Sequence, residues 1–201
     1  MKKPTIRKLL QALYYLQSKA TSADKTNRVY LLKMLFMTDR YHLRHFGITA
    51  TNDNYYAMKL GPVASKSFDI LKNNYKNINS AEIPYLSDVV EISEHDVLIN
   101  PQEQDELSES FREALDFALR EFGSYGWSEL SEISHCYPEW KKHEKDLPSN
   151  TRMTMNIQDF FDNPDNDDCF AEFGIKEDPF KEDEEFLALS KEEYAANLIS
   201  A

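Results

Sequence analysis

The chain of 201 residues has few of the residues on which phosphate-binding and metal sites depend. It contains five glycines and two cysteines. None of the patterns GxGxxG, GxxxxGK[S/T] or GxSxG occurs, so the sequence offers neither a phosphate-cradling loop nor a nucleophile elbow. Cys136 and Cys169 lie far apart with no CxxC partner, and no HExxH pattern surrounds His42 and His45. We therefore predict no catalytic set, no bound metal and no cofactor, and we do not expect a disulfide framework.

Long apolar runs are also missing. No stretch of about 18 apolar residues occurs, which disfavours a membrane-spanning helix. The apolar positions near the start are interrupted by Arg7, Lys8 and Gln11, so no signal-peptide core is expected. These absences predict a protein of the reducing cytoplasm with no membrane partner.

Charge is plentiful but unevenly distributed. The net charge is -12, yet residues 1–76 hold 14 Lys and Arg against 4 Asp and Glu. Residues 77–157 hold 6 against 17, and residues 158–201 hold 3 against 14. Such poles either steer charged partners or are simply solvated helix faces, and the sequence leaves both interpretations open.

The basic N-terminal part raises the possibility of DNA binding. Residues 1–48 contain 10 Lys and Arg, 2 acidic residues and several tyrosines that could stack on bases. The acidic remainder of the chain would repel phosphate, so nucleic acid is disfavoured as a partner. A DNA-associated phage or regulatory protein remains the alternative hypothesis.

Apolar periodicity predicts a mainly helical chain. Spacing of i, i+3, i+4 indicates a helix over 4–20 and a second one that begins after Asp24 or Thr26 and ends near Phe46, before Gly47. Helical spacing returns over 63–75, from Asn100-Pro101 to Gly123, and from Trp127 to about Ser134.

Two short regions have the alternation of strands. Residues 54–60 would place Tyr56, Met58 and Leu60 inward, with Gly61-Pro62 breaking the strand before the next helix. Residues 88–93 and 96–100 are close enough in sequence to form a tight hairpin, which we expect to join the 54–60 strand. The predicted class is α+β, mainly α-helical, with a helical core and a small antiparallel β-sheet.

The predicted domain covers residues 1–150, and residues 151–201 form an acidic C-terminal extension, partly disordered or containing a docking helix. The extension would either contribute to the choice of partner or merely solubilise the chain. Within the domain, Asp39 falls on the inner stripe of its helix, where an unpaired carboxylate is costly. We favour a structural role for Asp39, in which it finds nearby donors, over contact with a ligand.

Three sequence blocks carry a resemblance to a known family. The first contains Lys33, Asp39, Arg40 and Leu43, the second is "YYAMKLGPV" at 55–63, and the third is "LSEISHCYPEW" at 130–140. Together they resemble the Panacea domain, the SocA-like antitoxin domain that also occurs in phage-associated proteins. The resemblance covers roughly residues 5–145 and leaves the C-terminal extension outside it.

This resemblance implies an interaction module and not an enzyme. Members neutralise protein toxins of bacterial and phage toxin–antitoxin pairs, commonly by direct binding, and the SocA prototype hands its toxin to a ClpXP protease. The partners implied here are therefore a cognate protein toxin and, in the adaptor variant, a ClpXP-type protease. The candidate partner-binding or motif residues are Asp39, Arg40, Tyr55, Met58, Lys59, Gly61, Pro62, His135 and Trp140.

Overall fold

The computed structural model describes residues 6–199. The helices are α1 (Ile6–Lys19), α2 (Arg28–Phe46), α3 (Ser65–Leu71), α4 (Ile83–Val89), α5 (Glu109–Phe122), α6 (Trp127–His135), α7 (Pro138–Lys141) and α8 (Glu184–Ile199). The strands are β1 (Tyr55–Met58), β2 (Gly61–Ala64), β3 (Val90–Ile92), β4 (Val97–Ile99) and β5 (Met153–Thr154). Short 3-10 helices span Leu147–Ser149, Ile157–Phe161 and Asp168–Phe173. The mainly helical α+β class is confirmed.

Helix α2 forms the centre of the molecule, and it packs against α1, α5, α6, α8 and the β1–β2 hairpin. Most of its residues are buried, among them the polar or charged residues Lys33, Thr38, Asp39, Arg40, His42 and Arg44. Its N-cap is Asn27, whose side chain accepts hydrogen bonds from the first turn, and not Asp24 or Thr26. Its end at Gly47, in the left-handed conformation, is confirmed.

The sheet around β1 differs from the prediction. Strand β1 pairs with β2 on one side and with β5 on the other, both antiparallel. Gly61-Pro62 therefore begins a second strand and does not lead directly into a helix, because the turn lies at Lys59 and Leu60. The β3–β4 hairpin exists as predicted but forms a separate two-stranded sheet.

The two faces of β1 are also reversed from the prediction. Tyr55 and Ala57 are buried, whereas Tyr56 and Met58 are half-buried and Leu60 is exposed. The physical reason is the Tyr55 hydroxyl, which finds a buried acceptor in Asp39 and so allows this aromatic residue to take the inner position.

Helix α5 begins later than the Asn100-Pro101 signal indicated. Ser108 is the N-cap and accepts a hydrogen bond from the Phe111 amide. The preceding segment is held by side chains, since the amide of Glu106 donates to Gln11 Oε1. The predicted end of this helix before Gly123 and the predicted helix from Trp127 are confirmed.

Residues 151–199 pack onto the rest of the molecule. Strand β5 joins the sheet, and α8 crosses the end of α2 so closely that a Cβ at Gly47 would lie 2.9 Å from Glu193 Cβ. Cys136 and Cys169 form a disulfide, so the expectation that these cysteines would not pair was wrong. The two cysteines meet because of the tertiary structure, in which the extension folds back over the end of α6. Between residues 6 and 199, no helix is long and apolar enough to cross a membrane.

Candidate partner-binding site and the buried charges of α2

Asp39 holds the segment that connects α2 to β1. Its carboxylate accepts hydrogen bonds from the Thr51 amide at 2.8 Å, from the Thr51 hydroxyl and from the Tyr55 hydroxyl at 2.8 Å. Burial raises the pKa of Asp39 to about 6, although these donors favour the charged form. Asp39 and Tyr55 therefore stabilise the segment between α2 and β1, and both side chains are fully buried.

A buried lysine lies beneath the β1–β2 hairpin. Lys33 Nζ donates to the Pro62 carbonyl at 2.8 Å, and burial lowers the pKa of Lys33 well below its ordinary value. Gly61 has φ +100°, and a Cβ built there would lie 2.6 Å from Lys33 Nζ and would collide with Ser134 Oγ. Only glycine fits at this position, where the strand passes directly over the lysine.

Trp140 ties the hairpin to the helices that follow α5. Its indole Nε1 donates to the Met58 carbonyl at 2.9 Å, and its ring stacks on His135 with centroids 3.7 Å apart. His135 Nδ1 lies 3.5 Å from the Glu132 carboxylate. Burial lowers the pKa of His135, and the nearby Glu132 carboxylate opposes that shift. These contacts make Trp140 a rigid wall.

The outer side of Trp140 lines an open groove of about 590 Å³. The groove is also lined by Lys59, Glu144, Leu147, Pro148, Asn150 and Thr151. Leu60, next to Lys59 at the hairpin turn, is 45% exposed. We call the lining residues Lys59, Trp140, Glu144, Leu147 and Pro148, together with Leu60 at the adjoining turn, the hairpin groove. An apolar floor with one charge of each sign at its rim can bind a side chain from another molecule.

Arg40 and Arg44 lie on a different face of α2. Arg40 forms a fully buried ion pair with Glu139, and it also donates to the Asp162 carbonyl at 2.9 Å. Arg44 donates to the carbonyls of Phe160 at 3.1 Å and Phe180 at 3.2 Å. Burial lowers the pKa of Arg44 to about 9, so its guanidinium stays charged at neutral pH. The two arginines thus hold the C-terminal segment.

A buried acid from the extension completes this charge cluster. The Asp178 side chain is 4% exposed, and burial raises its pKa while the charges of Arg40 and Arg44 oppose that shift. Burial likewise raises the pKa of Glu139, against the charge of Arg40. The Arg40 guanidinium also lies 4.4 Å from the centroid of the Tyr137 ring.

The structure divides the nine sequence-predicted residues into four groups. Asp39 and Tyr55 meet at the segment after α2, whereas Gly61 and Pro62 lie over Lys33. Met58, His135 and Trp140 form one contact set, and Lys59 meets Trp140 at the hairpin groove. Arg40 belongs to the separate arginine face.

Sequence reasoning did not select Lys33 as a site residue, and it missed Arg44, Glu139 and Leu60. The signal for Lys33 and Arg44 was present, because charged residues inside a strongly apolar stretch of a central helix must have buried partners. Leu60 was missed because it was expected to face inward. Over residues 6–199, no cluster of three or more His, Cys, Asp or Glu side chains is placed to hold a metal ion.

One of three comparisons with known proteins gives a match, and it agrees with the resemblance carried by the three sequence blocks. Searches of curated proteins and of solved structures give no significant match. The family model for the SocA-like antitoxin, Panacea domain, matches residues 31–141, which is more than half of the chain. The matched range contains most of α2, both hairpins and the helices up to α7, including the hairpin groove residues Lys59, Leu60 and Trp140. The chain therefore belongs to the SocA-like antitoxin family of Panacea-domain proteins.

Proposed function

We propose that this chain is an antitoxin that neutralises a cognate protein toxin by direct binding, and that the toxin contacts the hairpin groove. Family membership supports an antitoxin role. The observation that carries the choice of surface is the groove lined by Lys59 and Trp140, where two of the family's sequence blocks meet, with the exposed Leu60 next to Lys59 in the chain.

The hairpin groove has the properties of an energetic centre of a protein interface. Trp140 is held in place by its hydrogen bond to Met58 and by the His135 ring, so binding would cost little side-chain entropy. Leu60 is withdrawn from water only when a partner covers it. The occupant that fits is an apolar side chain of the toxin, packed against Trp140, Leu147 and Pro148 and flanked by Lys59 and Glu144.

The motif charges support a binding role over a catalytic one. Lys33, Asp39 and Arg40 are each fully buried and engaged by protein groups, so their contacts account for them without a substrate. We infer a non-enzymatic, regulatory role for the family domain. Delivery of the bound toxin to a ClpXP-type protease is a variant of the same proposal, because it begins with the same contact.

The contacts of the basic residues weaken the DNA-binding alternative, because several of these residues are not free to bind phosphate. Lys33, Arg40 and Arg44 are enclosed by protein, and Arg7 lies within 4 Å of three carboxylates of the segment before α5. A salt-dependent mobility shift of duplex DNA by the purified chain would favour this alternative.

The proposal is tested by co-expression with the adjacent gene. We expect the neighbour alone to arrest growth, the pair to grow, and the two proteins to co-purify. Leu60→Asp should abolish rescue and co-purification, because it places a charge at the centre of the contact. Leu98→Asp is the matched control, since Leu98 is 48% exposed but lies on the separate β3–β4 hairpin.

Each outcome has a distinct meaning. A harmless neighbour that does not co-purify would contradict the antitoxin function. Rescue that survives Leu60→Asp, or that is lost equally with Leu98→Asp, would contradict the hairpin groove as the contact surface. A toxin whose lifetime shortens only when the protease is present would favour the adaptor variant over stoichiometric neutralisation.

A further inference from the structure

The disulfide joins the family domain to the C-terminal extension. Cys136 directly succeeds the last residue of α6, and Cys169 lies in the 3-10 helix Asp168–Phe173, 33 residues later. The segment 164–178, which we call the clasp segment, contains this 3-10 helix. It lies between two places where Arg44 holds the chain, at Phe160 and at Phe180. The disulfide adds a covalent link to the middle of this stretch.

We propose that Cys136 and Cys169 form a thiol–disulfide exchange site whose ligand is a low-molecular-weight thiol, and that their redox state sets how firmly the clasp segment is held. This inference does not depend on the proposed antitoxin function. In a reducing cytoplasm, the compartment expected from the sequence, intramolecular disulfides are usually transient or redox-sensing. The Cys136–Cys169 bond links the end of α6 to the clasp segment, so its reduction would remove a covalent restraint on that segment.

A groove provides a route to Cys136. Cys136 lines an open groove of about 830 Å³ between α7, the loop 161–166 and α8. Pro138, Phe161 and Leu187 form apolar parts of its wall, and Lys142 and Lys191 contribute cationic ones. Cys136 itself is 2% exposed and Cys169 is half-buried. A reagent that attacks the Cys136 sulfur through this groove must therefore be a small molecule.

The chemistry is a balanced two-step exchange. The thiolate of the small molecule attacks one sulfur, the Cys136–Cys169 bond breaks, and the other cysteine leaves as a thiolate. A second equivalent of the thiol attacks the mixed disulfide, which leaves two protein thiols and one small-molecule disulfide. Oxidation is the reverse, in which oxidised glutathione accepts the two electrons and becomes two reduced molecules.

Non-covalent contacts determine how far the structure loosens on reduction. Phe160 and Phe180 are buried and remain bonded to Arg44, so both ends of the clasp segment should stay in place. Between them, the segment keeps the bond from the Tyr125 hydroxyl to the Phe173 carbonyl at 2.9 Å and the packing of Phe170 on Tyr137. We therefore expect local loosening of the clasp segment and not release of the whole extension.

The test is hydrogen exchange of the intact chain in buffers of reduced or oxidised glutathione, with the thiol state read by mass spectrometry. We expect full interconversion between the two buffers without denaturant. In the reduced state, amides of the clasp segment should exchange at least tenfold faster, while those of α2 and α5 stay unchanged. The Cys136→Ser/Cys169→Ser variant should match the reduced protein in both buffers.

Three results would overturn the proposal. The first is a disulfide that persists in reduced glutathione, which would make the bond purely structural. The second is a pair that stays reduced in oxidised glutathione. The third is interconversion without any change in exchange of the clasp segment, which would leave the site without a structural effect. The first two can be read on the wild-type chain alone, so the outcome does not depend on whether the variant folds.

Discussion

Helix α2 holds other parts of the chain through buried ionisable side chains on two of its faces. On the hairpin face, which carries Lys33 and Asp39, the bonded partners are near in sequence. On the arginine face, which carries Arg40 and Arg44, the partners are distant in sequence. On the hairpin face, Asp39 bonds Thr51, 12 residues away, and Lys33 bonds Pro62, 29 residues away. On the arginine face, Arg40 bonds Glu139, 99 residues away, and Arg44 bonds Phe180, 136 residues away. Both faces use ionisable side chains to satisfy main-chain or side-chain groups that would otherwise be buried without a partner.

The difference shows which part of the chain each face depends on. Every partner named for Lys33 and Asp39 lies within residues 31–141, the range that the family model matches. The hydrogen bonds of the Arg44 guanidinium instead go to residues 160, 162, 163 and 180. The buried ionisable side chains of the hairpin face therefore find their partners within the family domain, although strand β5 of the extension also pairs with β1. The arginine face instead depends on bonds to the extension.

The largest effect should come from breaking the ion pair on the arginine face. We expect Arg40→Ala to lower the free energy of unfolding by about 3–5 kcal/mol, because it leaves Glu139 buried without its cation. Chemical denaturation measures this loss. The double variant Arg40→Met/Glu139→Leu should recover most of it, since both charges are then removed. A loss below about 1 kcal/mol for Arg40→Ala would contradict the enclosed ion pair.

A pair of glycine substitutions compares the two regions directly. Gly61→Ala should cost at least about 3 kcal/mol, since φ is +100° and the new Cβ would collide with Lys33 and Ser134. Gly174→Ala, in the clasp segment, shares a positive φ of +73° but meets nothing within 4 Å, so it should cost only about 1 kcal/mol. Thermal and chemical unfolding of both variants check this, and equal losses would contradict the close approach at Gly61.

A smaller and more local effect is expected at Arg44. Arg44→Lys keeps the charge but cannot reach all of the acceptors that the planar guanidinium bonds at once, so we expect a loss of about 1–2 kcal/mol. Hydrogen exchange should accelerate in residues 157–180 and stay unchanged in the β1–β2 hairpin. Acceleration spread evenly over both regions would contradict the separation of the two faces.

Features set by residues near one another in sequence could be predicted, whereas features set by distant residues could not. The end of α2 near Phe46, the helix from Trp127 and the β3–β4 hairpin were predicted correctly because caps, glycines and apolar spacing are local signals. The β1–β2 turn was misplaced because Gly61-Pro62 was interpreted as a break. The glycine is needed there because of the nearness of Lys33, a tertiary contact that no local pattern encodes.

A docking helix in the extension was one of the two predictions, but no local pattern indicated where the extension packs. The disulfide between Cys136 and Cys169 and the bonds of Arg44 depend on where residues 151–199 return to the domain. That path is set by buried aromatic side chains such as Phe160, Phe170 and Phe180 in an otherwise acidic sequence. Composition alone made the same residues resemble a solvated tail. The candidate site could also be predicted only in part. The motif blocks located the hairpin, but only the fold showed that Leu60 is exposed.

The smallest expected effect is the pH dependence of stability that Asp39 on the hairpin face contributes. Asp39 has a folded-state pKa of about 6, against an ordinary value of 3.8, so the folded protein binds this proton more tightly than the unfolded chain does. The associated stability is present at low pH and is lost as the pH rises through the folded-state value. Lowering the pH from 7 to 5 should therefore stabilise the wild type by about 1 kcal/mol more than Asp39→Asn. Parallel denaturation at the two pH values measures this difference. The buried carboxyls of Glu139 and Asp178 shift in the same direction but are present in both proteins, so they cancel in the comparison. A difference of the opposite sign would mean that the Thr51 and Tyr55 donors outweigh burial and that Asp39 is held as a fully stabilised carboxylate.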